Sequence, residues 1–200
     1  MFDFTKPIDD ATPLDDISGL KLSKNRVYTI KDIYEKEAQN IANATIKYLS
    51  APPSTKEAPF SYSWMIELHK EMFGEVWDWA GKFRKIELSI GIKAYLLSSE
   101  LKKLCDDLEY WDRNKTYDVF EIATRVHHRA VQIHPFQNGN GRWSRMLANI
   151  YLRQNGKMPV KWQEDLLAKD NPKRSEYIQA LKDADSGDFE DLIEMHRKTY

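Results

Sequence analysis

Apolar residues at helical spacing, in stretches each bounded by a capping residue, a proline or a glycine, predict a mainly helical domain. One period-two stretch predicts a small β-hairpin set among the helices, with a decorated loop as the alternative. A third observation bounds the number of domains. With 200 residues, 42% of them hydrophobic, the chain can bury one substantial core, and no repeat, low-complexity tract or long linker divides it. The expectation is an arm over residues 1–28 followed by a single helical domain over 29–200.

The arm is read from Pro7, Pro13, Gly19 and scattered Asp with little periodicity, a pattern suited to wrapping a domain. Thr29 caps a first helix to about Ser50, with Ile33, Glu37, Ile41, Ala44 and Tyr48 along an imperfect stripe, and Pro52-Pro53 ends it. A second helix, about Tyr62 to Phe73, repeats Trp64, Met65, Leu68 and Met72 before Gly74. His69 and His196 read as surface positions. Arg84 to Ile90 then alternates polar and apolar side chains, Gly91 supplies a turn, and Ala94 to Leu97 can return as a partner strand. The outer edge of such a hairpin would offer backbone groups to another chain.

A third helix runs from Ser98 or Ser99 to about Arg113, with Leu101, Leu104 and Leu108 inward. The fourth, from near Asp118 toward His134, carries Ile122, Ala123, Val126, Ala130 and Ile133 and reads as the core helix. The fifth spans Arg142 to Asn155, with Gly156 past its end. Trp162 to Leu167, Glu176 to Ala184 and Phe189 to Tyr200 supply further helical pieces, separated by Pro172 and Gly187.

Composition narrows the function. A formal net charge of -1 and a pI near 6.5 leave no basic footprint for nucleic acid. The single cysteine, Cys105, excludes an intrachain disulfide and fits a reducing, cytoplasmic setting, while no apolar run is long enough to span a membrane.

Chemistry concentrates between the fourth and fifth helices. Pro135 stops regular continuation and leaves His134 on a fixed corner. Gly139 and Gly141 permit positive φ, so successive N–H groups can form an anion-holding nest, and the start of a helix adds unpaired donors. Arg142 and Arg145, three apart, can grip phosphate oxygens near one helix face. A neutral imidazole beside a bound polyphosphate can accept a hydroxyl proton, which points to nucleotidyl or phosphoryl transfer. His127 and His128 read as helix histidines supporting this site rather than as metal ligands.

The run from His134-Pro135-Phe136 through Gly139-Asn140-Gly141-Arg142 to Arg145 resembles the signature of the Fic family, HPFx(D/E)GN(G/K)RxxR. Gly81 to Arg84 with Ile90-Gly91 is similar to the family's flap hairpin, and Glu37-Ala38-Gln39-Asn40-Ile41 resembles the branch called mobile mystery protein B. The resemblance implies a mainly helical Fic fold and transfer of AMP from ATP to a Ser, Thr or Tyr hydroxyl of a target protein. It implies His134 as the base, with Gly139, Asn140, Gly141, Arg142 and Arg145 holding the nucleotide. Lys85, Ile86, Glu87 and Leu88 would align the target by strand addition.

Position 138 departs from the pattern, because Asn138 stands where an Asp or Glu would help hold Mg²⁺. Magnesium would then be carried mainly by the ATP phosphates. The alternatives are a nucleotide-binding regulatory or toxin-antitoxin module with weak or lost transfer, and phosphotransfer. The family's restraining pattern, (S/T)xxxE(G/N), is matched only partly by Ser63 with Glu67-Leu68 and by Ser186 with Glu190-Asp191. A separate inhibitory partner such as an antitoxin, or none, is the expectation that follows.

Overall fold

The computed structural model describes residues 19–21, 29–162 and 172–198. Most of the arm and residues 163–167 of the expected helical piece at Trp162 to Leu167 lie outside them. Seven α-helices are described: α1 (Ile30–Leu49), α2 (Tyr62–Phe73), α3 (Leu97–Asn114), α4 (Val119–Ile133), α5 (Asn140–Gln154), α6 (Pro172–Asp185) and α7 (Glu190–Arg197). Their starts follow local chemistry. Thr29 and Asp32 form a capping box on α1, Ser61 accepts from Trp64 N on α2, and Asp118 accepts from Glu121 N on α4. Pro172, expected as a separator, is instead the first described residue of α6, a place where its missing N–H is no loss.

The helices pack around α4 and α5. α4 lies against α5, α3 and α7, while α1 crosses both α2 and α5. On α5 every residue from Trp143 to Leu152 is buried, so this helix is the axis of the core. Trp143 is fully buried, and its Nε1–H donates to Met65 O on α2 at 2.9 Å. A smaller apolar cluster, Tyr177, Ala180, Leu181, Ala184 and Leu192, seats α6 and α7. Of the arm, residues 19–21 are tied down. Lys21 N donates to Val76 O at 2.8 Å and Asp78 N to Gly19 O at 2.8 Å.

The expected hairpin is not formed among the described residues. Phe83 makes one isolated antiparallel bridge with Phe136, and Ala94–Leu96 is a turn of 3₁₀-helix leading into α3 rather than a return strand. The reason lies in Arg84, whose guanidinium takes the carbonyls of Ile86 and Ile92 that a cross-strand ladder would need. No described helix is long and apolar enough to cross a membrane.

Candidate active site

α4 ends one residue before His134, which takes the left-handed conformation at φ 51°, ψ 58°. Pro135 cannot continue a helix, so the chain turns sharply and presents the imidazole at the corner. The ring's Nδ1–H donates to Val131 O at 3.3 Å, and a carbonyl can only accept. In the neutral ring, Nε2 is therefore the nitrogen able to take a proton.

The loop that follows is closed by its own side chains. Asn140 Oδ1 accepts from Phe136 N and its Nδ2 donates to Phe136 O, both at 2.9 Å, while Asn138 Oδ1 accepts from Gly139 N at 2.6 Å. Gly139, at φ +78°, is required on two counts, because a Cβ there would also lie 2.7 Å from the Phe73 ring. α5 begins at Asn140, earlier than expected, so Gly141 is helical and contributes an N–H rather than a positive φ. The first helical hydrogen bond runs from Trp143 N to Gly139 O, which leaves the N–H groups of Asn140, Gly141 and Arg142 in the first turn. There they add to the positive end of the helix dipole.

His69 on α2 holds this loop from beneath. It is fully buried, stacked on Phe136 with centroids 3.6 Å apart, and its Nδ1 accepts from Gly81 N at 3.0 Å. Its Nε2–H therefore donates to Asn138 O at 3.0 Å and fixes that carbonyl. Burial pushes the ring down to about 3, so it stays neutral.

The two arginines turn to different neighbours. Arg142 Nη1 donates to Glu37 Oε2 on α1 at 2.5 Å, and its guanidinium stands 4.7 Å from the Phe73 ring centroid. Glu37 is itself buried, and its Oε1 accepts from Trp77 Nε1 at 2.5 Å. Arg145 is also buried, with its guanidinium 6.0 Å from the Tyr177 ring centroid. Behind it runs a directional chain. His196 Nδ1–H donates to Leu192 O at 2.7 Å, so its Nε2 accepts from His127 Nδ1–H at 3.1 Å, and His127 Nε2 accepts from Tyr177 Oη–H at 2.9 Å. Burial lowers His196 to about 4, and burial with the His196 and Arg145 charges holds His127 well below its ordinary value.

The model of the Fic/DOC family matches residues 59–152, the span that holds α2, the corner and most of α5. The chain carries a Fic/DOC family domain. Protein adenylyltransferase Fic of Aedes aegypti is 29% identical over 155 residues, covering 76% of this chain and 30% of that protein. The protein of the same name from Drosophila grimshawi is 31% identical over 133 residues, covering 64% of this chain and 26% of that protein. The chain thus spans less than a third of the length of these relatives. Among solved structures, Fic-1 of C. elegans superposes with a TM-score of 0.69 at 24% identity, covering 91% of this chain and 56% of that one. BepC of Bartonella tribocorum, solved with bound AMPPNP, gives a TM-score of 0.61 at 19% identity, covering 86% of this chain and 88% of that one.

In this Fic/DOC domain residues 135–139 turn the chain from His134 directly into the first turn of α5, and the side chain of Asn140 faces inward onto the Phe136 backbone. Lys85, Ile86 and Glu87 are exposed and Leu88 half-buried, on an irregular segment rather than a strand. Among the described residues no group of three His, Cys, Asp or Glu could hold a metal, and the Asn138 amide oxygen is engaged by Gly139 N. Glu67, from one partial match to the restraining pattern, pairs with Lys70.

Three buried polar residues around the site escaped sequence reasoning. His69 and His196, expected at the surface, are fully buried. Each lies on the inward side of its helix, where burial of flanking apolar neighbours carries the polar ring with it. Glu37 did leave a signal, being the one acid within an otherwise apolar stripe on α1. A buried acid needs a partner, and here the partners are Arg142 and Trp77.

Proposed function

We propose that the chain transfers AMP from ATP to a Ser, Thr or Tyr hydroxyl of a target protein. The observation that carries this is the placing of His134, its Nδ1–H tied to Val131 O, beside the unpaired first turn of α5. The curated relatives named protein adenylyltransferase support it. In the proposed reaction His134 Nε2 accepts the hydroxyl proton, and the hydroxyl oxygen attacks the α-phosphorus. The bond from that phosphorus to the bridging oxygen breaks, and pyrophosphate leaves with the electron pair. Gly139 would let the loop approach the phosphates closely, and the N–H groups of Asn140, Gly141 and Arg142, with the Arg142 and Arg145 side chains, would bind them and stabilise charge developing on their oxygens. Magnesium, when present, would neutralise phosphate charge and be carried by the nucleotide. Residues 85–88, beside the corner, would hold the acceptor segment. A single cysteine, Cys105, with its thiol free fits a reducing, cytoplasmic setting.

A second reading, nucleotide binding without transfer, is favoured by one feature: the amide at position 138 is neutral and already engaged. ATP labelled at the α-phosphate separates the two. Label reaching protein from the native chain and not from His134→Ala supports transfer, whereas nucleotide binding with no labelling under Mg²⁺ or Mn²⁺ supports the second reading. Label arriving only from the γ-phosphate would mean phosphotransfer. Asn138→Asp keeps the acceptor toward Gly139 N and adds a charge, so on the transfer reading it raises labelling.

A further inference from the structure

The Arg84 side chain is fully buried, and its ion pair with Glu87 is long at 3.8 Å. Its N–H groups go instead to three backbone carbonyls. Nε donates to His134 O at 2.8 Å, Nη1 to Ile86 O at 2.8 Å, and Nη2 to Ile92 O. The backbone N–H of Arg84 donates to Pro135 O at 3.0 Å, next to the bridge between Phe83 and Phe136. A planar guanidinium can aim rigid donors at three separate acceptors, which a single ammonium nitrogen cannot do with the same spread. The His134 carbonyl stands just past the end of α4, where helix carbonyls carry partial negative charge and offset the burial of a cation.

Gly91 brings the same segment against the histidine, next to the Arg84 guanidinium. Its φ is +100°, and a Cβ on it would lie 2.5 Å from His134 Cβ and 3.2 Å from Ile133 O. The 86–92 loop therefore rests on the backbone that carries the imidazole.

We propose that Arg84 is a positioning residue that locks the 86–92 segment and the His134 corner into one unit, setting the distance between the base and the surface on which an acceptor lies. This rests on the reading of His134 as base and of residues 85–88 as the acceptor-holding segment. Proton transfer needs the acceptor hydroxyl within about 2.6–3.2 Å of the imidazole nitrogen, and a misplacement of about 1 Å can cost on the order of a hundredfold in rate. Arg84 need touch neither nucleotide nor acceptor to control that distance.

The test compares native chain with Arg84→Lys, which keeps the charge and loses the fork. Folding is followed by circular dichroism and nucleotide binding by calorimetry with AMPPNP. Hydrogen exchange is measured on peptides covering 84–96, and the His134 ring signal is followed by NMR, assigned with His134→Gln. The expected Arg84→Lys protein is folded and binds AMPPNP as the native chain does. Its 84–96 peptides exchange roughly tenfold faster and its His134 signal broadens or splits, because loss of the fork lets the segment open locally. In label transfer from α-labelled ATP, kcat falls while KM for ATP holds. Native exchange over 84–96 with a single unmoved His134 signal, in a folded variant, overturns the proposal. Should Arg84→Lys not fold, Gly91→Ala decides, since its Cβ meets both His134 Cβ and, at 3.1 Å, Arg84 Nη2, and so parts the loop and its guanidinium lock from the corner. An unmoved ring signal there overturns the proposal as well. If the native chain transfers no label, the proposed function fails by itself, and the exchange and ring-signal measurements still decide this inference.

Discussion

Acidification from pH 7 to pH 5 should strip stability from this protein through histidines that its fold keeps neutral. His69 and His196 are fully buried, with folded values of about 3 and about 4, against an ordinary value of 6.5. The unfolded chain binds protons at these rings that the folded chain excludes. Stability is therefore complete above pH 6.5 and falls as pH drops through the interval between the unfolded and folded values. At pH 5 each ring costs about 2 kcal/mol relative to pH 7, so the pair removes about 4 kcal/mol. For a chain of this size that corresponds to a fall in Tm of roughly 8–16 °C. His127, also lowered well below its ordinary value, adds in the same direction. Carboxylates contribute little in this window because unfolded Asp and Glu titrate near pH 4. The assay is urea unfolding followed by tryptophan fluorescence at half-unit steps from pH 7 to pH 5. His69→Gln and His196→Gln should each remove about one proton from the slope. A flat profile would refute the reasoning, and so would a slope unchanged by both substitutions.

Two further predictions concern the loop and its arginine. Glu37→Leu leaves the Arg142 guanidinium and the Trp77 N–H without their shared acceptor, so it should cost about 3–5 kcal/mol, read as a Tm loss of roughly 6–20 °C by calorimetry. Gly139→Ala meets both the left-handed backbone and the Phe73 ring, so it should cost about 2–4 kcal/mol. Combining it with Phe73→Leu should give a loss smaller than the sum by about 0.5 kcal/mol or more, checked by a double-mutant cycle from urea midpoints.

How much of this could be read from the sequence differed by kind of interaction. The limits of α1 and the end of α2 were legible because Thr29, Pro52 and Gly74 act close to the helix ends they bound. The corner at His134 was legible for the same reason, since Pro135 and Gly139 impose their geometry locally. What was not legible is carried by partners far apart in the chain. Arg84 and His134 are separated by 50 positions and Glu37 and Arg142 by 105, and periodicity says only that a residue faces inward, never which carbonyl or guanidinium it will meet. The missing hairpin belongs to this class. Alternation over 84–90 fits a strand, but a buried guanidinium claimed the carbonyls first. The position of Asn138 was plain, yet its engagement with Gly139 N required the loop's shape.

The burial of α5 on all sides from Trp143 to Leu152 bears on how the site moves. Amides on such a helix exchange with solvent chiefly when the whole domain opens, so Arg145 is mounted on the part of the molecule that opens last, and Arg142 lies one residue before it begins. On the proposed function, a nucleotide arriving there would meet an ordered surface and lose little affinity to ordering it. On the proposed function, slow conformational steps would then fall to the 86–92 segment together with the His134 corner it is locked to, with α5 acting as a fixed frame.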